Sequence, residues 1–446
     1  MQLIGLIIFV LAYTGIVFTR IPGINVGRPA AAFIGAVLMI LSGVLTFDEA
    51  MSAIDFRTIA LLFGMMVVTA NITEGGFFNR FSLKAASSAN TPKKLLVFVV
   101  IVTALSSAFF VNDIVVLIYT PLVIRLCLKY KLNPIPYLIA TAMASNIGST
   151  MSIVGNPQNM LIGIQSGISF MRFMVYLAPV AIVSTVILIA VLLIYYKKDF
   201  SGIIHADMGA DDMVDISKND REHNDERQNK NQYNGQNAAP VIALQLNKGG
   251  SNVPLFILLF VVVLFFSDAI LHIGLPLIAL SGAALAFVLD KRKPSHLLKN
   301  IDWVLLLFFA GLFIVIEGAV KSGVFEIFNQ THLTSDASGI FLIHALSIFG
   351  SQIVSNVPFT MFMIPYVMPV SSDVLWISLA SGSTLAGNLT IIGAISNIIV
   401  VEMAAKAGIY VKFSQFLKVG LFVTLLSMAA SVVILMMEYQ VGFLKV

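Results

Sequence analysis

Two apolar stretches of this chain, 95–129 and 339–370, are each too long for a single crossing of a bilayer, and each is broken near its middle by a polar cluster. A crossing helix needs about 20 residues. The first break holds Asn112 and Asp113 within AFFVNDIVVLIYTP, and the second holds Ser355 and Asn356. Irregular backbone at membrane depth is tolerated only where protein or a water-filled cavity covers it. Each stretch therefore reads as a re-entrant hairpin, two helices meeting partway through the membrane. The rest of the chain has to enclose two such tips.

The remaining apolar runs supply that enclosure. They lie near 2–19, 29–46, 57–73, 134–164, 173–196, 253–271, 275–290, 302–319, 374–404 and 413–437. The chain is 58% hydrophobic and 11% charged, with mean hydropathy +0.93, whereas soluble domains carry about 25% charged residues. The expected fold is an all-α polytopic membrane protein. Met1-Gln2-Leu3 carries no positive n-region, so the first run reads as a retained helix. The lone cysteine, Cys127, excludes an intrachain disulfide and reads as apolar filler. Residues 199–251, with KNDREHNDERQNKNQYNGQNAAP, read as a disordered linker.

Orientation follows from Lys and Arg. With the N-terminus outside and ten alternating crossings, 18 of the 27 Lys and Arg fall on one face, among them Arg20, Lys93, Lys131, Lys198 and Lys299. The other face receives Arg57, Arg172, Lys321 and Lys445. That asymmetry makes the first face cytoplasmic. Both termini are then outside and the 199–251 linker inside. The first hairpin enters from the cytoplasm, the second from outside. The expected membrane is the cell's inner (plasma) membrane.

The two halves match. DFRTIALLFGMMVVTANITEGGFF at 55–78 resembles DWVLLLFFAGLFIVIEGAVKSGVF at 302–325, pairing Asp55 with Asp302 and Gly64 with Gly311. Asn112 and Pro121 pair with Asn356 and Pro365; STMSIVGNPQN at 149–159 pairs with GNLTIIGAISN at 387–397. The expected organisation is an N-terminal repeat over 1–198 and a C-terminal one over 252–446. Each has five spans, a hairpin and an unwound helix, 134–164 or 374–404. An odd number of spans inverts one repeat against the other. Inverted repeats with interrupted helices are the build of secondary transporters, with the site at the midplane.

The chemistry of the breaks fits that. SNIGSTMSIVGNPQN at 145–159 holds Asn146, Ser149, Thr150, Gly155, Asn156 and Asn159, with Pro157 removing a backbone donor. Its partner SGSTLAGNLTIIGAISN at 381–397 holds Thr384, Asn388, Thr390, Gly393 and Asn397 without the proline. Exposed carbonyls and Asn or Ser oxygens suit a hard cation such as sodium, expected near Asn112, Gly155, Asn356 and Gly393. Free amides at half-helix N-termini attract an anion or oxyanion. Asp113 is the asymmetry, because Val357 stands at its place in the second tip. Ionised, it attracts a cation; protonated, it carries a proton. An acid at this depth is a functional candidate.

Elsewhere the signals are plain. Glu317 with Lys321 and Glu402 with Lys406 read as i,i+4 surface pairs. His272, His296, His332 and His344 lack metal-like spacing. No GxxxxGK[ST] occurs, which disfavours an ATP-driven pump. Ser106 and Ser107 have no His nearby in sequence, so a serine hydrolase finds no support. An enzyme is not expected, nor a passive channel, whose pore two opposed hairpins would block.

FFVNDIVVLIYTP resembles the Asn-Asp hairpin of the ArsB arsenite permeases, and IVGNPQNMLIG the unwound helix of the same family. The chain is thereby identified as similar to the ion transporter superfamily of ArsB permeases, NhaD antiporters, citrate transporters and divalent anion:sodium symporters. In the last of these each tip carries Ser-Asn-Thr; here the tips are Val111-Asn112-Asp113 and Ser355-Asn356-Val357. The resemblance covers nearly the whole chain outside 199–251. It implies a scaffold and a mobile region holding hairpins and unwound helices, with alternating access and a homodimer. The expected partners are the bilayer, a small anion or neutral oxyacid and a second copy of the chain; nucleic acid is not among them. No cofactor is expected beyond Na+ or H+ as coupling ion. The expected function is ArsB-like, ion-coupled carriage of a small inorganic oxyanion or its neutral acid, with a sodium-coupled di- or tricarboxylate symporter as the alternative.

Overall fold

The computed structural model describes residues 2–17, 27–75, 91–201, 252–290, 292–328, 333–370 and 372–444. The expected linker therefore lies outside the described residues from 202 onward. Among the described residues all regular structure is helical. The first portion contains α1 (Gln2–Val17), α2 (Arg28–Leu41), α3 (Phe47–Ala53), α4 (Phe56–Glu74), α5 (Pro92–Phe109), α6 (Asn112–Lys129), α7 (Pro134–Ser149), α8 (Pro157–Ser166) and α9 (Phe170–Tyr195). The second contains α10 (Val253–Leu271), α11 (Leu275–Leu289), α12 (Pro294–Lys299), α13 (Trp303–Lys321), α14 (Ala337–Val354), α15 (Asn356–Val367), α16 (Asp373–Ala386), α17 (Ile395–Lys406) and α18 (Phe413–Gln440). The two series run in the same order, element for element. Among the described helices seven are long and apolar enough to cross a membrane.

Local chemistry sets the boundaries. Asp55 and Asp302, matched in sequence, are both N-caps: their carboxylates accept from Arg57 N at 3.0 Å and Leu305 N at 2.9 Å. Thr91, Asn133 and Ser169 cap α5, α7 and α9 in the same way. The second run ends earlier than expected, at Leu41 rather than 46, because Gly43 takes φ +74° and turns the chain. Short α3 and α12 were not expected; at 7 and 6 residues they fall below what apolar periodicity reveals.

The two portions interlock. α4 packs along α11, and its counterpart α13 packs along α2. The crossing points are the paired glycines. A Cβ on Gly64 would lie 2.6 Å from the Ala279 carbonyl carbon, and one on Gly311 would lie 2.9 Å from that of Ala32. Small residues permit such approach inside membranes. α9 packs on α18, and α6 on α17, again across the two portions.

Charged clamps hold the helix ends. Arg292 Nη1 lies 2.5 Å from Glu74 Oε2, and Lys321 Nζ lies 2.5 Å from Glu49 Oε1. Lys321 thus reaches across to Glu49 on α3 instead of pairing with Glu317, because α13 ends beside α3. No ion pair joins Glu402 to Lys406 among the described residues. Arg172 pairs with Asp373, and Asn133 Nδ2 donates to Asp199 at 2.8 Å. Each of these contacts joins ends that alternating crossings put on the same face.

Candidate functional site

The two long apolar stretches break as their polar clusters require. α5 and α6 meet at Phe110-Val111, and α14 and α15 meet at Ser355. Ser355 has φ +71° and ψ 163°, a region nearly confined to glycine. Such strain costs on the order of 1–3 kcal/mol and concentrates at functional sites. Its hydroxyl reaches Gly393 O at 3.4 Å and Asn356 Oδ1 at 3.3 Å. The second tip therefore sits on the break between α16 and α17.

Both breaks contain one short 3-10 turn, Ile153–Gly155 and Ile391–Gly393. Both are held by an asparagine amide. Asn159 Nδ2 donates to Ser149 O and Ser152 O, each at 3.0 Å. Asn397 Nδ2 donates to Gly387 O at 2.7 Å and Thr390 O at 3.0 Å, at the same spacing of ten and seven residues. These amides satisfy carbonyls that unwinding strips of helical partners, in a setting where an unpaired group is expensive. Gly155 and Gly393 are packed too tightly for a side chain: a Cβ would lie 2.4 Å from Ser149 O and 2.8 Å from Gly387 O respectively.

Asn146 is the hub. Its Oδ1 accepts from Asn112 Nδ2 at 3.2 Å and Ser396 Oγ at 2.7 Å. Its Nδ2 donates to Asn388 Oδ1 at 3.0 Å and Asn397 Oδ1 at 3.1 Å. The first tip, α7 and the second break meet on this one amide. The reciprocal contact is Gln158 Nε2 to Thr384 Oγ1 at 3.2 Å, which Asn156 Nδ2 joins at 3.3 Å. Asn156 also donates to Ser149 Oγ at 2.9 Å. Thr150 turns back onto Asn146 O at 3.2 Å, and Thr390 bonds Gln352 Oε1 at 2.8 Å.

Not every candidate enters this network. Asn356 is buried, but its amide oxygen stays local, accepting from Val357 N at 3.0 Å. Asp113 is half-buried in the first turn of α6, where the helix dipole favours a carboxylate; among the described residues nothing hydrogen-bonds it. Gln158, Gln352 and Ser396 were not among the candidates. Their signal was present: Gln158 and Ser396 hold matching places in the two break motifs, and Gln352 lies three residues before the second tip.

Several buried polar atoms here lack a partner among the described residues: Asn112 Oδ1, Asn159 Oδ1, Ser107 Oγ and Asn388 Nδ2. The oxygens offer ligands to a hard cation, and the amide nitrogen offers a donor to an oxygen of a cargo. All the side chains that bond across the two portions here are neutral, and the ionisable Asp113 follows Asn112 in the chain.

A family model described as citrate transporter matches residues 9–375. A 46 kDa membrane protein of Mycobacterium leprae is 31% identical, over 99% of this chain and 100% of that protein. A silicon efflux transporter of Oryza sativa subsp. japonica is 28% identical, over 88% of each chain. The crystal structure of the Alcanivorax borkumensis YdaH transporter shares the fold, with a TM-score of 0.50 at 14% identity over 99% of this chain and 98% of that one.

Proposed function

Because the chain belongs to the citrate transporter family and is a multi-pass secondary transporter, we propose that its cargo is a small inorganic oxyanion or its neutral acid, moved by alternating access and coupled to a cation gradient. The observation that carries this is the make-up of the hub. Asn112, Asn146, Asn388, Asn397 and Ser396 bond one another as neutral amides and a hydroxyl, with no Lys or Arg in the set. A small acid with several hydroxyls matches such donors and acceptors, and a multiply charged anion meets no fixed countercharge there. The silicon efflux relative supports a cargo of this kind.

The coupling role falls to Asp113, by protonation or by contact with sodium. Asn112 Oδ1, Asn159 Oδ1 and Ser107 Oγ are the oxygens that would help hold a sodium ion. Those same oxygens favour a second reading: with sodium bound, the site would carry the countercharge that a di- or tricarboxylate needs. The reading also includes the inner membrane as location, termini outside, and a homodimer.

Proteoliposome counterflow decides between them. The expected result is saturable exchange of arsenous or silicic acid, with no citrate exchange. Sodium-dependent citrate counterflow with no oxyacid exchange would establish the second reading. Linear, unsaturable flux of either would overturn the carrier mechanism itself.

A further inference from the structure

We propose that His344 is a proton-binding site, set in a polar seam that runs from one membrane face toward the second hairpin tip. The proposal rests on the cation-coupled reading and deepens it, naming the proton and a residue that takes it, whatever the cargo.

His344 is buried on α14, seven residues inside Ala337, or about 10 Å by the helix rise. Its Nδ1 lies 2.8 Å from Ile340 O. A carbonyl can only accept, so Nδ1 carries the hydrogen and the neutral ring presents a lone pair at Nε2. That nitrogen faces Ser431 Oγ at 2.9 Å and Ser381 Oγ at 3.2 Å. A hydroxyl can donate to the lone pair or, after rotating, accept from Nε2–H. The pocket therefore satisfies the imidazole in either protonation state, and imidazole is the side chain that ordinarily changes charge near neutral pH.

The internal repeat supplies the control. Matching the tips at Asn112 and Asn356 sets His344 against Val100, and matching Gly155 to Gly393 sets Ser381 against Met143. Matching Phe170 and Phe173 to Phe413 and Phe416 sets Ser431 against Leu188. Val100, Met143 and Leu188 are all 0% exposed. At these three places the first portion thus achieves the same helix packing with hydrocarbon, although Thr103 and Ser107, which match Ser347 and Ser351 further along the seam, are polar and buried there too. Three polar groups at the matching places are not demanded by the fold, and burying them in a membrane is costly without a task.

The seam continues both ways. Inward, Ser347 lies under Gly382, where a Cβ would come within 2.8 Å of its Oγ. Ser351 Oγ reaches Ser383 O at 3.4 Å, and Gln352 Nε2 reaches Ala386 O at 2.8 Å beside the break. Outward, Glu438 is seven residues beyond Ser431 on the same side of α18, about 10 Å along the axis. Its Oε2 is buried without a partner among the described residues. The elements packed against α14 carry Lys418, Glu438 and Tyr439 on α18, Asp373 on α16, Tyr366 on α15 and Tyr13 on α1. Asp373 is held by Arg172, Tyr13 donates to Pro358 O at 3.1 Å, and none of the six hydrogen-bonds His344.

The test is nitrogen NMR of full-length protein in lipid nanodiscs with 15N-labelled histidine, compared with His344→Gln. The signal missing from the variant should pass reversibly from the Nδ1–H tautomer to the imidazolium as the pH is lowered from about 8 to about 4. A signal that keeps the neutral tautomer throughout overturns the proposal. If His344→Gln fails to fold, Ser431→Ala marks the same signal by displacing it. In proteoliposomes loaded with a pH dye, His344→Gln should lose about tenfold in pH-driven arsenous acid uptake, within the ordinary range of coupling, while counterflow at equal pH persists. Unchanged pH-driven uptake in that variant also overturns the proposal. Wild-type protein that moves no arsenous acid would defeat the cargo reading alone, because the NMR result stands without it.

Discussion

Asn159 and Asn397 do one job in two places: each amide spans the carbonyls of its own unwound segment at the same spacing. A role that recurs in both portions at the same spacing is one the fold requires. Asp113 has no such twin, since Val357 holds its place. The two kinds of residue should therefore fail differently. Asn159→Ala or Asn397→Ala strands buried carbonyls, and each should cost about 1–3 kcal/mol of stability, read as a lower thermal midpoint in detergent. Asp113→Asn keeps the size and should leave that midpoint nearly unchanged. Gradient-driven accumulation in proteoliposomes should nevertheless collapse, while exchange falls less. Full driven transport with unaltered pH and sodium dependence would make Asp113 a helix-dipole acid and nothing more. The polar residues of both breaks were legible in sequence because a polar atom in hydrocarbon stands out. Which of them bond to which was not legible. Asn146 looks like any other asparagine of its motif until α7 is brought against the break between α16 and α17.

At the scale of elements, the breaks in the long apolar stretches followed from apolar length and from proline and glycine placement. The cross-packing did not, because a glycine in a span names a close approach but not its partner. Gly64 meets Ala279 and Gly311 meets Ala32, both between the first portion and the second. Gly64→Val or Gly311→Val would drive branched side chains into backbone that has no room to yield. Each should cost about 1–3 kcal/mol by overpacking, and Gly167→Val is no control because of its φ of +67°. The proper comparison is Gly27→Ala, whose nearest neighbour is 3.8 Å away; it should leave the thermal midpoint unmoved. The clamp at α3 makes a separate prediction. Hydrogen bonding by Lys321 holds the Glu49 carboxyl well below its ordinary 4.5, at about 2. A depressed folded value means that the contribution is present above pH 4.5 and lost as the pH falls toward 2. Acid unfolding of Lys321→Gln should show a shallower pH dependence across that window than wild type. The effect should be small, because both groups are exposed and solvent screens them.

For the whole molecule, the contacts at helix ends bring ends together, and the distribution of Lys and Arg gives an expectation of which face is which. The first part is internal to the fold: Glu49 with Lys321, Arg172 with Asp373 and Glu74 with Arg292 each join ends that alternating crossings place together. The second part depends on how the chain is inserted, which no packing contact records. The excess of positive residues on the side of Lys93, Lys131 and Lys299 argues that this side is cytoplasmic. Two single-cysteine proteins in a Cys127→Ser background test it. Asp48→Cys, exposed beside the Glu49 clamp, should react with a membrane-impermeant thiol reagent in intact cells. Asn231→Cys, in the segment between the repeats, should react only after the cells are opened. The reverse pattern would turn the molecule over as a rigid whole. It would then place Glu438 and the outer end of the His344 seam on the cytoplasmic side, so that the proton taken up there would come from the cell interior. Labelling of both sites from outside would do more damage, because it would require an even number of crossings between residues 48 and 231. The repeats would then run parallel, and the second hairpin would enter from the same face as the first.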